Sequence, residues 1–422
     1  MFRFLRACAA AALCCAGSAT VAAEESITLD PQCVLALIHQ QAADLLIAQT
    51  SLERAEAEVD LARAWRSGPS IELDGGYRLD NPEDRWDRGI AIRQQLDLWR
   101  RERIALASAG HEEQQARLEA LRASITAEGV ALYYRAIYQH QRLSVLAESS
   151  SLHERLNGIA QKRERVGDIG ALDVQMTHIA LARSRAAEAQ AQTDLQATID
   201  ELHILLGVKP EVSLKLSGTL SWQWDKPVWQ PEHHPILTQM AAGKRRSNQA
   251  IANARAEQRP ELEVGLGYAH EEGEDIIRAG IGITFGAPGR FSAAARAAQS
   301  DATAAIILYN RTALRLQQNF IGNAQRLHRL TDALAAYETA TGDTIVDTTR
   351  LAEASYAKGA IPLSDVLSLK RELIDARLEH LGLQFTAIQA SIETAAAAGS
   401  TPFTGANQSG TDAAAPSSTP KE

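Results

Sequence analysis

Two adjacent histidines, His233-His234, stand directly before Pro235. Imidazoles hold a metal only when carboxylates or further histidines complete the sphere at defined spacing. No such partners recur here, and the pair reads instead as the start of a helix at Pro235. Gly280-x-Gly282-x-x-x-Gly286 comes near a dinucleotide-binding spacing. That motif must join a strand to a helix, whereas these glycines lie among alternating strand residues and leave room for an interior or a neighbouring strand. There is no nucleophile elbow, no His-Glu-x-x-His and no phosphate loop. The residues imply neither catalysis nor a cofactor. Two carboxylates remain, Asp173 and Asp365, each six residues after a glycine (Gly167 and Gly359). At the start of a helix an acid is favoured by the helix dipole.

Those two aspartates belong to a doubled unit. Gly167 and Gly359 are 192 residues apart, as are Asp173 and Asp365. Each glycine reads as the tip of a helical hairpin. The offset is 191 for Pro69 and Pro260, for Gly76-Tyr77 and Gly267-Tyr268, and for Ile90 and Ile281, while Gly207 matches Gly399 at 192. Within the first unit, Asp30-Pro31 predicts a helix start, and 31–66 reads as one or two helices. Ile71, Leu73, Gly75 and Tyr77 alternate with Ser70, Glu72, Asp74 and Gly76, which predicts a strand. A second strand through Ile90, Ile92, Gln94 and Leu96 completes a hairpin over 70–97. A helix from about Trp99 to Arg165 carries Leu118, Ile125 and Leu132 at seven-residue spacing. Gln139 breaks the series and Leu146 resumes it. Such a helix would reach about 100 Å, and its heptads predict nearly parallel neighbours. The tip spans 166–171, and a returning helix runs from Leu172 to Leu206.

Residues 208–235, with four prolines and three tryptophans, read as a connecting segment with a short strand near Val212-Leu214-Leu216. The second unit, 236–399, repeats the plan: a helix to Gln258, a strand hairpin over 261–285, a long helix from about Arg290 to Lys358, a tip at 358–363 and a last helix. That helix carries the rows Leu367, Ile374, Leu381, Ile388 and Leu378, Phe385, Ile392. Residues 400–422 are rich in Ser, Thr, Pro and Ala and read as a disordered tail.

Residues 1–23 read as a secretory signal: Arg3 and Arg6, an apolar core, then Val21-Ala22-Ala23. Without them the chain has 41 basic and 52 acidic residues, a net charge of −11, which excludes a nucleic-acid binder. Only Cys33 remains, so no disulfide framework is expected. No later stretch runs eighteen apolar residues without charge, and any membrane insertion must use strands.

Four strands with one apolar and one polar side cannot close a barrel alone, because an open edge in lipid leaves backbone groups unpaired. If they enter a membrane, several copies must share one barrel, with Trp86, Trp99, Tyr77, Tyr268 and Phe285 as interfacial aromatics. A soluble sheet capping a coiled-coil scaffold is the other reading of the same pattern.

Arg165-Val166-Gly167 with Asp173-Val174-Gln175, Leu205-Leu206-Gly207, Arg259-Pro260-Glu261-Leu262, and Tyr356-x-x-Gly359 with Leu363-x-Asp365-Val366-Leu367 resemble, in order and duplication, the TolC family of outer-membrane efflux proteins. The resemblance spans about Leu29 to Gly399. It implies a mainly α protein with membrane β: long antiparallel helical hairpins plus four strands per protomer, forming a trimeric α/β barrel. Twelve strands would lie in outer-membrane lipid and a helical tunnel in the periplasm. The function implied is a passive exit duct for an inner-membrane RND-type pump, joined through a periplasmic adaptor at the tips (Val166, Gly167, Asp168, Ile169, Gly170 and Lys358, Gly359, Ala360, Ile361, Pro362). A conduit for type I protein secretion is the alternative. Asp365 sits where family members line a closed entrance with acids, and an aspartate ring would concentrate cations. Ser368 replaces a second acid and Ile361 a basic residue, departures that bear on tight gating. Trp65 to Pro69 and Phe285-Gly286-Ala287-Pro288-Gly289-Arg290 look most like the heavy-metal cation branch, although Thr284-Phe285-Gly286 replaces its usual Pro-Leu-Phe.

Overall fold

The computed structural model describes residues 26–77, 86–222, 227–271, 273–285, 288–341, 351, 355 and 362–400. The elements are β1 (Ser26–Leu29), α1 (Pro31–Gln41), α2 (Ala43–Arg63), β2 (Ser70–Tyr77), β3 (Trp86–Leu96), α3 (Arg100–Arg165), α4 (Ala171–Leu206), β4 (Ser213–Leu216), α5 (Pro235–Ala256), β5 (Glu261–Glu271), β6 (Glu274–Thr284), α6 (Pro288–Thr341) and α7 (Leu363–Ala398). The stretches read from the sequence as a signal and as a tail, apart from Ser400, and most of the second tip lie outside the described residues.

Asp30 caps α1: its Oδ1 accepts from the Cys33 N–H at 2.7 Å, and Pro31 takes the first helical position. The chain then breaks at Ala42, whose backbone is extended (ψ 118), so 31–63 forms two helices. α3 is a single helix of 66 residues, about 100 Å long. Leu118, Ile125, Leu132 and Leu146 are all buried. Gln139, where the heptad breaks, accepts from Arg142 at 3.4 Å, and Arg142 reaches across to Asp194 of α4 at 3.0 Å.

The second half copies the first. α4 and α7 have 36 residues each, and both end at a left-handed glycine, Gly207 (φ 65) and Gly399 (φ 80). Near the sheet the helices pack in the order α2-α3-α5-α6; further away the order is α4-α3-α7-α6. The four large strands are ordered β2-β3-β5-β6, all antiparallel. Strands and helices therefore follow one order across a single wall.

The core sits midway along the helices. Leu29, Val34 and Ile38 pack there with Ala136, Leu202, Leu206 and Ile388. Tyr133 donates to the Ser217 carbonyl, Trp222 Nε1 donates to Ser391 Oγ at 2.8 Å, and Tyr138 stacks on Phe385 at 4.7 Å. One strand was not legible in the sequence. β1 pairs in parallel with β4, Ser26 opposite Ser213 and Leu29 opposite Leu216. It ties the start of the described chain to the connecting segment.

His234 caps α5: its Nδ1 accepts from the Ile236 N–H at 3.2 Å. The ring is buried against Trp229 (5.6 Å) and Gly399, and Nε2 has no hydrogen-bond partner among the described residues. Burial lowers its pKa below the usual histidine value, while the Ala397 backbone and its own pull weakly the other way. The unfolded chain therefore takes up this proton first. The stabilisation is fully present above about pH 6.5 and is lost as pH falls through the lower folded pKa. His234→Asn keeps a cap and removes the titration. We expect its melting temperature to drop less than that of the parent between pH 7.5 and 5.5; equal drops would exclude His234 as the acid-sensitive group.

Candidate functional site

The register gives the four-stranded sheet two unlike faces. Ile71, Leu73 and Tyr77 lie on one face with Trp86, Ile90, Ile92, Val264, Leu266, Tyr268, Ile277, Ile281 and Ile283. These side chains are between 38% and 82% exposed, which is the wrong sense for water and the right sense for lipid. Tyr77 meets Trp86 edge-on at 5.2 Å near the end far from the helices, and Trp65 and Phe285 stand exposed at the near end. The expected aromatic Trp99 serves the junction instead: its Nε1 donates to the Pro260 carbonyl at 3.3 Å, and Arg259 lies over its ring at 4.4 Å.

The opposite face is polar or small. Arg93 bridges two strands, 2.8 Å from Glu72 and 3.9 Å from Glu263. Arg278 pairs with Glu271 at 2.6 Å. Between them lie Gly89, Ala91, Gly265, Gly267, Ala269, Gly280 and Gly282. At Gly89 a β-carbon would sit 2.2 Å from Asp74 Oδ2, so only glycine lets that carboxylate lie across the strand. The dinucleotide-like glycines thus furnish an uncluttered face, while Gly286 lies outside the described residues. β2 and β6 each have one unpaired edge.

Arg103 fixes the sheet to the helices. Its guanidinium donates to the Ala62 carbonyl (3.1 Å), the Ala64 carbonyl (3.0 Å) and Asp97 (2.6 Å). It thereby satisfies carbonyls left open at the end of α2. Nothing in the sequence singled it out from its neighbours, and the Arg93 bridge was missed likewise, although the alternation had put Glu72 on the wet side. Arg103→Ala leaves Asp97 half-buried without its cation and should cost about 1–3 kcal/mol. Chemical denaturation against the parent measures it; an unchanged midpoint would reduce Arg103 to a surface residue.

The first tip is formed by a short reversal. Gly167 adopts φ 76 and donates to the Glu164 carbonyl at 2.8 Å; the Asp168 N–H donates to the Arg163 carbonyl at 2.9 Å. Arg163 Nε donates to the Asp168 carboxylate at 2.6 Å. Val166 and Leu172 protrude, 79% and 75% exposed, with Ile169 half-buried and Gly170 before α4. Of the second tip, Lys358, Gly359, Ala360 and Ile361 lie outside the described residues. Pro362 caps α7, and Asp365 is its third residue. Val366 is fully buried against Leu152 and Leu156 of α3. That clamp leaves Asp365 and Ser368 exposed on the other side of the turn. Among the described residues no group of His, Cys, Asp or Glu is placed to hold a metal, and no helix is long and apolar enough to cross a membrane.

The family model for outer membrane efflux proteins matches residues 34–208. Protein CyaE of Bordetella pertussis is 28% identical over 266 residues, 57% of this chain and 54% of that protein. The cobalt-zinc-cadmium resistance protein CzcC of Cupriavidus metallidurans is 23% identical over 300 residues, 68% of this chain and 71% of CzcC. The chain thus spans about half the length of CyaE and more of CzcC. Among solved structures, the Campylobacter jejuni CmeC outer membrane channel superposes with a TM-score of 0.75 at 15% identity, covering 87% of this chain and 85% of CmeC. The Neisseria gonorrhoeae MtrE outer membrane channel, in its open state, gives 0.73 at 16%, covering 90% and 94%. In agreement with the two-faced sheet and the doubled hairpins, residues 34–208 match the outer membrane efflux protein family, and the chain has the fold of the CmeC and MtrE outer membrane channels.

Proposed function

We propose that three copies of this chain close into one passive exit duct for a tripartite efflux system. The observation that carries the reading is the sheet: apolar and exposed on one face, charged and ion-paired on the other, with both edges open. A soluble scaffold gains nothing from such an apolar face, whereas a shared twelve-stranded barrel gives each face its own solvent and each edge a partner. The helical wall, ordered as the strands are, continues the same tube into the periplasm. The tips at 166–171 and 358–363 face an adaptor, and an inner-membrane RND-type pump supplies the energy. Divalent metal cations are the substrate class we favour, because the relative CzcC carries cobalt, zinc and cadmium resistance in its name.

Purified protein should conduct ions across a planar bilayer and show three chains by mass measurement. A monodisperse monomer without conductance would remove the reading. At the entrance, Asp365→Ala should move the reversal potential in a salt gradient toward zero, because a ring of three carboxylates is lost. An unchanged potential would leave Asp365 as an acid stabilising the first turn of α7 and nothing more.

A further inference from the structure

The apolar face of the sheet ends in a charged row. The register sets Gly75, Arg88, His270 and Asp275 side by side across β2, β3, β5 and β6. They lie on the same face as the adjoining apolar row of Leu73, Ile90, Tyr268 and Ile277. Beyond the charged row stand Tyr77 and Trp86, in edge contact at 5.2 Å. Ionisable groups on a lipid-side face are costly and need partners. His270 and Asp275 have theirs: His270 Nδ1 donates to Asp275 Oδ1 at 2.8 Å, and the Tyr268 hydroxyl donates to the same oxygen at 2.7 Å. Arg88 is exposed and has no ion pair among the described residues. His270 stands between it and Asp275, whose strand is about 10 Å from that of Arg88.

On the other side of Arg88 there is room. Gly75 brings no side chain to the face, and a β-carbon there would meet only the Asp87 carbonyl oxygen, at 3.8 Å. The result is a shallow niche floored by Gly75. Arg88 forms one wall, Tyr77 and Trp86 close the outer end, and Leu73, 75% exposed, closes the inner end. Its depth fits a lipid head group. From Arg88 to Leu96 the strand rises about 27 Å, or about 20 Å in height at the tilt of a membrane barrel. The exposed Leu98 lies just beyond. Arg88 therefore marks the margin of an apolar band about 25 Å tall, the level of head groups and aromatic belts.

We propose that this niche binds the head group of an outer-leaflet glycolipid, with Arg88 on a sugar phosphate and Trp86 against the sugar ring. An unpaired guanidinium is the cation whose fork matches phosphate oxygens. An exposed indole, 66% open, supplies a flat amphipathic surface beside it. By holding Asp275, His270 keeps the one carboxylate of the row off Arg88 and leaves that charge for the lipid. The proposal rests on the duct reading, which turns the end of the sheet far from the helices to the outside. It adds one lipid site per copy, on the face away from the bore.

The test titrates full-length protein in neutral detergent with lipid A, a disaccharide lipid bearing two phosphates, and counts bound lipid by native mass spectrometry. Half-saturation should come at a concentration about tenfold or more below that for phosphatidylethanolamine or for lipid A stripped of its phosphates. Arg88→Ser and, separately, Gly75→Leu should each raise it about tenfold, while mass and conductance stay those of the parent. Arg101→Ser removes the same charge from an exposed position at the near end and should change nothing. An equal loss with Arg101→Ser would mean attraction by net charge alone and overturn the niche. Displacement of lipid A by inorganic phosphate at the same concentration would make it a site for free anions and overturn the lipid as occupant. Protein that conducts and has the mass of three chains, yet takes up all three lipids alike, would overturn the niche and spare the duct. Protein that is monomeric and never conducts would overturn the duct, and the niche with it.

Discussion

Ile281→Arg should abolish assembly in the outer membrane, whereas Gly280→Arg, one residue away, should leave assembly intact and alter the current. Ile281 lies on the apolar face and is 76% exposed. An arginine near the middle of a lipid-facing belt costs about 2–4 kcal/mol, and the proposed ring of three copies would incur that cost three times. Gly280 points to the other face. A β-carbon there meets nothing within 4 Å, and its φ is not left-handed. The guanidinium would enter water, narrow the bore and subtract negative charge, so conductance and cation preference should both fall. Membrane fractionation and bilayer recording read the two outcomes. Identical behaviour of the two variants would mean that the sheet does not separate lipid from water.

The second large effect concerns the helix ends. Gly207→Val should lower the melting temperature sharply. The residue sits at φ 65, and a β-carbon would lie 2.7 Å from the Gln41 carbonyl oxygen. A β-branched residue in the left-handed region costs about 1–3 kcal/mol before any clash, and backbone oxygen cannot swing aside as a side chain can. Gly399 is held alike: φ 80, with the site of a β-carbon 2.9 Å from His234 Cα. Gly158 is the internal control. It lies inside α3 with open space around it, so Gly158→Ala should gain about 0.5–1 kcal/mol. A stability for Gly207→Val equal to that of the parent would show that this corner is not the rigid joint described.

Most of the architecture was legible because it rests on periodicities. The two-residue period of Ile71, Leu73 and Tyr77 and the seven-residue period of Leu118, Ile125 and Leu132 are imposed by which side must leave water, and the structure keeps both. The duplication helped, since Gly207 and Gly399 each announced a helix end that a single copy would have left ambiguous. β1 was hidden for a physical reason. Four residues hold too few alternations, and their partner β4 lies far along the chain, beyond any local signal. Arg103 and Arg93 were hidden because their roles come from the carbonyls and carboxylates that folding brings to them. Asp365 was picked out by its place in the repeat, and its entrance role through resemblance. The structure adds the clamp at Val366 that orients its turn.

α4 and α7 match in length and stop at the same kind of residue. Their lower ends therefore hang at a common depth, about 54 Å beneath the girdle where both terminate. Three copies would present six such ends on one rim, alike in shape about every sixty degrees and alike in chemistry only about every hundred and twenty. Whatever seats beneath can satisfy that rim with six equivalent subunits or with three pairs, and the difference between Val166-Gly167-Asp168 and Lys358-Gly359-Ala360 is what would make successive subunits inequivalent.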